Sequence, residues 1–223
     1  MEFKGNERVT VVDHPLIRHK LSVIRDKNTP DVIFRQSVRE LTLLEAYEAT
    51  KHLATKPVTV ETPIATCECE TITGLEPVVV PILRAGLGML DGMLDLIPTA
   101  PVAHLGMYRN EETHEPIEYY AKMPSYIAER QVLLVDPMLA TGGSLKAAIA
   151  ALRKRGVKDL IAMVLVASPE GVQAVLDADP DVRLFTCVID EGMNDDAYIV
   201  PGLGDAGDRI FRTEDTPVES DIA

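Results

Sequence analysis

A loop able to hold an anion follows one of the apolar runs of the sequence. Residues 132–144 read VLLVDPMLATGGS, in which the run ends at Asp136 and small residues lead into the helical pattern SLKAAIAALRKRG. The first N–H groups of a helix have no partner within it, so a phosphate placed there accepts several backbone hydrogen bonds. Thr141 and Ser144 add hydroxyl donors, and the two glycines between them carry no side chain that would block approach. The pattern is typical of a phosphate loop, but also of an ordinary strand–turn–helix.

Asp136 favours the phosphate loop over the ordinary turn. The loop contains neither the GxxxxGK[ST] pattern of a Walker A loop nor the GxGxxG pattern of a dinucleotide site. A carboxylate at the end of an apolar strand is costly unless hydroxyls, a metal or N–H donors meet it. The vicinal hydroxyls of a ribose beside a bound 5′-phosphate would be such partners. The loop therefore indicates a sugar phosphate.

Three other segments carry residue types that suit the same ligand. Arg84 follows the apolar run in PILRAG, Arg109 lies in YRNEETHEPIEYY, and YIVPGLGDAGDRIF contains three glycines in six residues. Each segment has an ordinary alternative, namely a surface arginine, a solvated hairpin tip and a generic glycine-rich loop. If the fold places Arg84 opposite the phosphate loop, its planar guanidinium can bind pyrophosphate oxygens in bidentate fashion.

Strand and helix patterns alternate from residue 77 onward. The strand patterns are PVVVPIL, APVAHLGMY, QVLLVD, DLIAMVLVAS and VRLFTCVID, with helical patterns between several of them. This alternation predicts a parallel sheet covered by helices on both faces. In such sheets ligands bind beyond the carboxyl ends of the strands, where the strand order reverses. Arg84, Arg109 and Asp136 would then lie along one edge of the sheet.

The front of the chain predicts two helices and a hairpin. Pro15 and Pro30 lie near the two helix starts, where a missing N–H costs little. PVTVETPIATCECETITG alternates like two short strands of a hairpin beside the main sheet. One face of the second helix is expected to contain Ile33, Phe34, Val38, Leu41, Leu44 and Tyr47.

Composition and charge argue against several classes of protein. The net charge of −13 argues against non-specific binding to nucleic acid or an anionic membrane. The most apolar stretch, residues 77–98, contains three charged side chains, and the N-terminus lacks an apolar signal region, so no membrane span is expected. The three cysteines form no CxxC motif, which gives little support to disulfides or zinc and favours the reducing cytoplasm.

Several segments, in their order, resemble the uracil-specific branch of the type I phosphoribosyltransferase family. VDPMLATGGS is similar to the family's phosphoribosyl-pyrophosphate loop, with Pro137 where most relatives have a second acidic residue. The other similar segments are HPLIRHKLSVIRDK, FRQSVREL, AYEAT, PILRAG, YRNEETHEPIEYY and YIVPGLGDAGDRIF. The resemblance runs from about His14 to Phe211, so the tail from Arg212 to Ala223 extends beyond it.

The resemblance implies the type I phosphoribosyltransferase fold. This is an α/β fold with a central, mainly parallel sheet flanked by helices, an N-terminal helical arm, a β-hairpin and a C-terminal base-binding hood. We expect a single domain over residues 1–223. Its expected parts are the helical arm at about 14–55, the core at about 77–190, the uracil-binding loop at 198–209 and the polar tail at 212–223.

The resemblance also implies roles for individual residues. The catalytic residues would be Asp136, Arg84, Arg109 and Asp205. The site for phosphoribosyl pyrophosphate (PRPP) would comprise Arg84, Arg109, Asp136, Pro137, Met138, Leu139, Ala140, Thr141, Gly142, Gly143, Ser144 and Asp205. The uracil site would comprise Ile199, Gly204, Asp205 and Ala206. No side chain is expected to bind a metal directly, since Mg²⁺ would arrive with PRPP and keep its phosphate, hydroxyl and water ligands.

The implied reaction converts uracil and PRPP into UMP and diphosphate, a step of pyrimidine salvage. Relatives form homodimers or homotetramers, and some are activated by GTP, so both properties are expected here. The family's Arg84 loop often contains a cis peptide bond that does not involve proline. Two alternatives stay open: an RNA-binding attenuation regulator of a pyrimidine operon on the same scaffold, which the acidic charge disfavours, and a phosphoribosyltransferase for another base.

Overall fold

The computed structural model describes residues 3, 5–109 and 116–213. The strands within these ranges are β1 (Val9–Val11), β2 (Thr55–Glu61), β3 (Thr66–Ile72), β4 (Val78–Leu83), β5 (His104–Arg109), β6 (Pro116–Lys122), β7 (Val132–Val135), β8 (Met138–Leu139), β9 (Leu160–Ala167), β10 (Arg183–Ile189), β11 (Gly192–Met193) and β12 (Ile199–Val200). The helices are α1 (Pro15–Arg25), α2 (Asp31–Ala49), α3 (Leu87–Leu96), α4 (Gly143–Lys154), α5 (Pro169–Ala178) and α6 (Ala206–Phe211). None of these helices is both long and apolar enough to cross a membrane.

The central sheet confirms the predicted parallel α/β architecture. Its strands follow the order β1-β10-β9-β7-β4-β5-β6, and β8 pairs with β9. Only the pair β5–β6 is antiparallel among the strand pairs described in this sheet. Helices α1, α2 and α3 pack on one face, whereas α4 and α5 pack on the other. The strands are therefore buried on both sides, which explains their continuous apolar runs.

The strand order reverses between β4 and β7. After β4 the chain adds β5 and β6 on one side, and β7 then pairs with the opposite side of β4. The carboxyl ends of these two neighbouring strands lead directly to Arg84 and to Asp136. Such a reversal opens a crevice beyond the strand ends, because the two connections leave on different sides. The predicted edge therefore contains both residues.

The N-terminal helices begin as expected, but the buried face of α2 differs from the prediction. Pro15 is the first residue of α1, and Pro30 precedes α2. Phe34, Val38 and Leu41 are buried, whereas the predicted Ile33 and Tyr47 are 45% and 64% exposed. The prediction was wrong at these two positions because α2 turns polar residues toward the sheet instead. The clearest example is Glu45, which is fully buried. Burial raises the pKa of its carboxyl group well above the usual range.

Two smaller sheets accompany the core. Strands β2 and β3 form the predicted antiparallel hairpin, and β11 pairs with β12 just before the C-terminal glycine-rich segment. Strand β1 was not predicted, because the charged N-terminus shows no long apolar run. It adds to the edge of the sheet by pairing with β10, with Val9 opposite Leu184.

Gly92 tests the close crossing of α2 and α3. A Cβ at this position would lie 2.4 Å from the Arg39 carbonyl oxygen and 2.9 Å from Thr42 Cβ. We expect Gly92→Ala to lower the free energy of unfolding by about 1–3 kcal/mol, since helix backbones must move apart. The exposed neighbour variant Asp91→Ala should stay within about 0.5 kcal/mol of the parent. Urea denaturation measures both, and equal stability of the two variants would contradict the crossing.

Candidate active site

The phosphate loop is fixed by β9 and by the start of α5. The Pro137 carbonyl oxygen accepts hydrogen bonds from the N–H groups of Leu165 and Val166, both at 3.1 Å. The Ser168 hydroxyl donates to the Ala140 carbonyl oxygen at 2.6 Å and accepts from the Gly171 N–H at 2.8 Å. One side chain therefore caps α5 and ties the loop to it.

Close packing against α5 shapes the same loop. A Cβ on Gly171 would lie 2.2 Å from the Ala140 carbonyl oxygen and 2.8 Å from that of Leu139. Gly142 has a φ of +79°, a left-handed conformation that glycine adopts without steric cost, and it directly precedes α4. Because Gly142 has no side chain, it cannot cap α4. The first N–H groups of the helix therefore face the loop. The local geometry matches the one predicted from sequence.

Helix α4 is held behind the loop by its predicted apolar face and by its C-terminal charges. Leu145, Ile149 and Leu152 are buried against the sheet. Arg153 in the last turn forms a bidentate ion pair with Asp179, at 2.7 and 3.0 Å. A cation at this end complements the helix dipole, whose positive end lies at the loop.

Asp136 lies directly after β7, partly exposed at the site edge. Its pKa is raised to about 7, chiefly because burial penalises the charged carboxylate. The Met138 N–H, 3.4 Å from Asp136 Oδ1, acts in the opposite direction, and the nearby carboxylate of Asp205 raises the pKa further. Two carboxyl groups from distant segments therefore approach each other at this edge.

The Arg84 loop packs against the phosphate loop's strand. The peptide bond between Leu83 and Arg84 is cis, as the resemblance implied. A Cβ on Gly86 would lie 2.5 Å from the Val135 carbonyl oxygen, so the backbone after Arg84 touches the end of β7. The Arg84 side chain is 58% exposed.

Helix α6 brings the C-terminal segment to the same place. Asp205 caps this helix by accepting a hydrogen bond from the Asp208 N–H at 2.9 Å. Asp208 in turn lies 3.3 Å from the Arg84 guanidinium, and the Thr213 hydroxyl lies 3.4 Å from it. A Cβ on Gly207 would lie 3.7 Å from Ala85 Cβ, so α6 touches the Arg84 loop.

The residues predicted to bind uracil lie before and at the start of α6. Ile199 and Ala206 are buried, whereas Gly204 and Asp205 are exposed. Gly204 has a φ of +82°, and a Cβ there would meet no atom within 4 Å. Open space therefore lies beside the backbone of this segment, next to the acidic edge.

Two arginines that the sequence analysis did not single out support the C-terminal segment. Arg25 at the end of α1 forms a bidentate ion pair with Asp190, at 2.5 and 2.9 Å, and donates to the Gly202 carbonyl oxygen at 2.8 Å. The Gly202 N–H also donates to Asp190, at 2.9 Å. Asp190 follows the apolar run VRLFTCVI just as Asp136 follows VLLV. An aspartate at the end of an apolar strand is the sequence feature that could have predicted the importance of Asp190.

Arg209 is the second support. Its guanidinium donates to the carbonyl oxygens of Ile24, Leu203 and Asp26. It also stacks over the Phe34 ring, 4.2 Å from the ring centroid. The helical arm, α1 and α2, therefore holds the C-terminal segment over the sheet edge. No local sequence signal distinguishes this arginine from a surface one.

The structure thus brings together most of the predicted site residues. Asp136, Arg84 and Asp205 meet at the crevice, beside the loop of residues 137–144. Arg109 is the last residue of β5, and its side chain and the stretch 110–115 lie outside the described part of the chain. The role that the resemblance implies for Arg109 therefore stays a prediction.

Comparison with known proteins agrees with this geometry. The sequence model of the family described as uracil phosphoribosyltransferase matches residues 11–213. The chain belongs to the uracil phosphoribosyltransferase family. It is 55% identical to a uracil phosphoribosyltransferase of Brevibacillus brevis, covering 93% of this chain and 99% of that protein. A uracil phosphoribosyltransferase of Lactiplantibacillus plantarum is 53% identical, covering 92% of this chain and 98% of that one.

Solved structures extend the comparison to the fold. The AQ2163 protein from Aquifex aeolicus superposes with a TM-score of 0.85 at 38% identity, covering 92% of this chain and 98% of that one. An adenine phosphoribosyltransferase from Trypanosoma brucei shares the fold with a TM-score of 0.55 at 12% identity, covering 87% and 89% of the two chains. The uracil phosphoribosyltransferase family member described here therefore has the type I phosphoribosyltransferase fold.

Gly171 tests whether α5 positions the phosphate loop. We expect Gly171→Ala to reduce kcat/KM for a phosphoribosyl donor by about 100-fold, because the new Cβ displaces the loop carbonyls. Gln173→Ala changes an exposed side chain of the same helix and serves as the control. Steady-state kinetics of both variants, with thermal unfolding to verify the fold, provides the measurement. A fully active alanine variant would show that the loop does not depend on this contact.

Proposed function

We propose that this protein transfers the phosphoribosyl group of PRPP to uracil and releases UMP and diphosphate, as a step of pyrimidine salvage. Membership of the uracil phosphoribosyltransferase family supports the reaction. The structural observation that carries the assignment is the meeting of Asp136, Arg84 and Asp205 beside an open-ended helix. These groups come from three separate segments and supply an anion site, a cation and acidic oxygens within one crevice.

The phosphate loop would bind the 5′-phosphate of the donor. The backbone N–H groups at the start of α4 and the hydroxyls of Thr141 and Ser144 are donors suited to a dianion. Residues 137–140 would complete the wall of this site, since the carbonyl oxygens of Pro137, Leu139 and Ala140 are bonded to β9 and to the residue that caps α5. Asp136 would accept hydrogen bonds from the ribose hydroxyls.

Arg84 and Arg109 would stabilise the leaving diphosphate. The exposed Arg84 guanidinium now contacts Asp208 and Thr213, and exchange of these neutral or singly charged partners for diphosphate favours the more highly charged ligand. The bond from C1′ to the diphosphate oxygen breaks as the bond to uracil N1 forms, and uracil releases its N1 proton. Charge building on the leaving oxygens is then met by fixed cations, which is the main electrostatic contribution to such a transfer.

Uracil would lie against the backbone of the C-terminal segment. Its edge presents an acceptor, a donor and an acceptor, which peptide N–H and C=O groups can match directly. Ile199, Gly204, Asp205 and Ala206 would surround the base, with the bare Gly204 allowing close approach. A base with the wrong edge leaves a buried backbone group unpaired, at a cost of about 1–3 kcal/mol for each mismatch.

Mg²⁺ would accompany the donor. The carboxyl groups of Asp136 and Asp205 lie on one edge of the crevice, where they would accept hydrogen bonds from water molecules bound to Mg²⁺, an ion that keeps its phosphate and water ligands. The ion neutralises donor phosphates when it is bound. The residues of this chain would orient the donor around it and keep the two carboxyl groups within reach of the ribose.

The reaction is tested with purified protein, PRPP, Mg²⁺ and a panel of bases. We expect UMP from uracil, with kcat/KM at least about 100-fold lower for cytosine and hypoxanthine, as expected for mismatched hydrogen-bonding edges. Orotate has the same edge as uracil, so its additional carboxylate is the feature that must be rejected. Anion-exchange chromatography separates the nucleotides formed. Nucleotide from another base in preference to uracil would overturn the proposed specificity, and no nucleotide at all would overturn the reaction.

The raised pKa of Asp136 gives a pH-dependent prediction. The ionised carboxylate is the form that accepts ribose hydroxyls, so kcat/KM for PRPP should rise as pH increases through about 7. Asp136→Asn should lose this rise and fall in activity by on the order of 100-fold. A pH–rate profile of both proteins between pH 5 and 9 measures the difference. An unchanged profile in the variant would remove Asp136 from the mechanism.

The same variant makes an opposite prediction for stability. Because the folded pKa lies above that of an unfolded aspartate, the folded protein binds the extra proton between about pH 4 and 7 and loses this stabilising difference as pH rises. Asp136→Asn removes the charge that partial burial penalises. At pH 8 the ligand-free variant should therefore unfold at a higher temperature than the parent, with a free energy of unfolding that is larger by on the order of 2 kcal/mol. At pH 5 the difference should be smaller.

Activation by GTP, assembly into a homodimer or homotetramer and a location in the cytoplasm remain predictions from the resemblance. The base-panel assay repeated with GTP measures the first. Light scattering at several protein concentrations measures the second.

A further inference from the structure

Two cysteines lie together on the hairpin of β2 and β3. Cys67 and Cys69 are both exposed, and their Sγ atoms are 3.6 Å apart. They are two positions apart in β3, so both side chains project from the same face of the strand. The third cysteine, Cys187, is buried in the core. The proposed transfer reaction uses none of the three.

The surroundings of the pair are mostly apolar and carry one positive charge. Across the hairpin, Val60 lies opposite Cys67, and Val58 lies opposite Cys69. Lys56, opposite Thr71, is the next residue along this face. The acidic residues Glu68 and Glu70 alternate with these positions and therefore belong to the other face. Two thiols beside a lysine and away from carboxylates form a soft, local ligand pair.

The strand geometry favours a bridging ion over a direct disulfide. Alternate residues of an antiparallel strand have Cα atoms about 6.8 Å apart, at the upper limit for a disulfide. Their Cβ atoms project in parallel and stay well beyond the about 3.5–4.5 Å that a disulfide requires. An ion needs no such approach of the Cβ atoms: two metal–sulfur bonds of about 2.3 Å each span about 4.6 Å when collinear. The two exposed side chains therefore need only rotate to widen their 3.6 Å separation.

The number of ligands selects the class of ion. A structural zinc site needs four ligands, and within the described ranges no group of three or more His, Cys, Asp and Glu residues could hold a metal. Soft thiolates select Cu(I), which two sulfur ligands satisfy in a near-linear arrangement. We propose that Cys67 and Cys69 form a two-coordinate site for a soft monovalent cation of the Cu(I) class.

Binding would release two protons and change no oxidation state. Each thiol loses its proton, each sulfur forms one bond to the ion, and the product carries one net negative charge. Lys56 on the same face offsets this charge. The hairpin joins the amino end of β4, whereas Arg84 follows the carboxyl end, so the dithiol lies away from the crevice.

An anaerobic titration with Cu(I) tests the site. The reduced protein is titrated against the chromophoric chelator bicinchoninate, and native mass spectrometry counts the ions per chain. We expect one tightly held Cu(I) per chain and affinity at least about 100-fold weaker in Cys67→Ser and in Cys69→Ser, since each removes one of two ligands. Cys187→Ala is the control and should bind as the parent does.

The possible outcomes are separable. Uptake that is equal in parent and serine variants, or absent from the parent, would overturn the site, as would one copper shared by two chains. Formation of an internal disulfide on treatment with oxidised glutathione, in place of copper binding, would also overturn it. UMP synthesis by the serine variants should equal that of the parent, so failure of this proposal is distinguishable from failure of the proposed reaction.

Discussion

The close approach of Asp136 and Asp205 is the constraint on which the site depends. Each carboxyl group alone would be an ordinary polar cap, but the packing of α6 on the Arg84 loop, and of that loop on β7, brings them together. Burial is the main reason that the pKa of Asp136 rises to about 7, and the neighbouring Asp205 carboxylate adds to the rise. A ligand that brings hydroxyls and a cation relieves this repulsion. At neutral pH the ionised Asp136 carboxylate is therefore less stable in the free protein than it would be with this ligand bound.

The surrounding contacts keep this unfavourable pair in place. Gly86 and Gly171 allow backbone to touch backbone behind the two loops, where any side chain would force them apart. Arg25 and Arg209 tie the C-terminal segment to the helical arm through backbone carbonyl oxygens and through the largely buried ion pair of Arg25 with Asp190. The arm therefore contributes to the site without supplying a ligand of its own. The proposed anion donors are instead the N–H groups at the start of α4 and Arg84, which would let a chain of net charge −13 hold a highly charged anion.

The hairpin dithiol illustrates a separation of chemistry across the sheet. Parallel strands direct all their carboxyl ends to one edge, and the crevice occupies that edge. The opposite edge is left to connections such as the β2–β3 hairpin, whose residues face solvent and are not constrained by the transfer reaction. The carboxyl groups of Asp136 and Asp205 thus lie beyond the carboxyl ends of the strands, whereas the proposed soft-ion site lies on the hairpin that precedes β4 in the chain.

The sequence by itself determined the alternation of strands and helices, the phosphate loop and its helix, and the family. These features depend on hydrogen bonds and periodicities within a few consecutive residues, so VDPMLATGGS could be interpreted without the rest of the chain. The tertiary structure alone decided that Asp136 lies beside Asp205, that Arg209 anchors the hood, and that α2 buries Glu45 and exposes Ile33 and Tyr47. Those outcomes depend on which elements pack against each other, and residues far apart in sequence carry no local mark of their future neighbours.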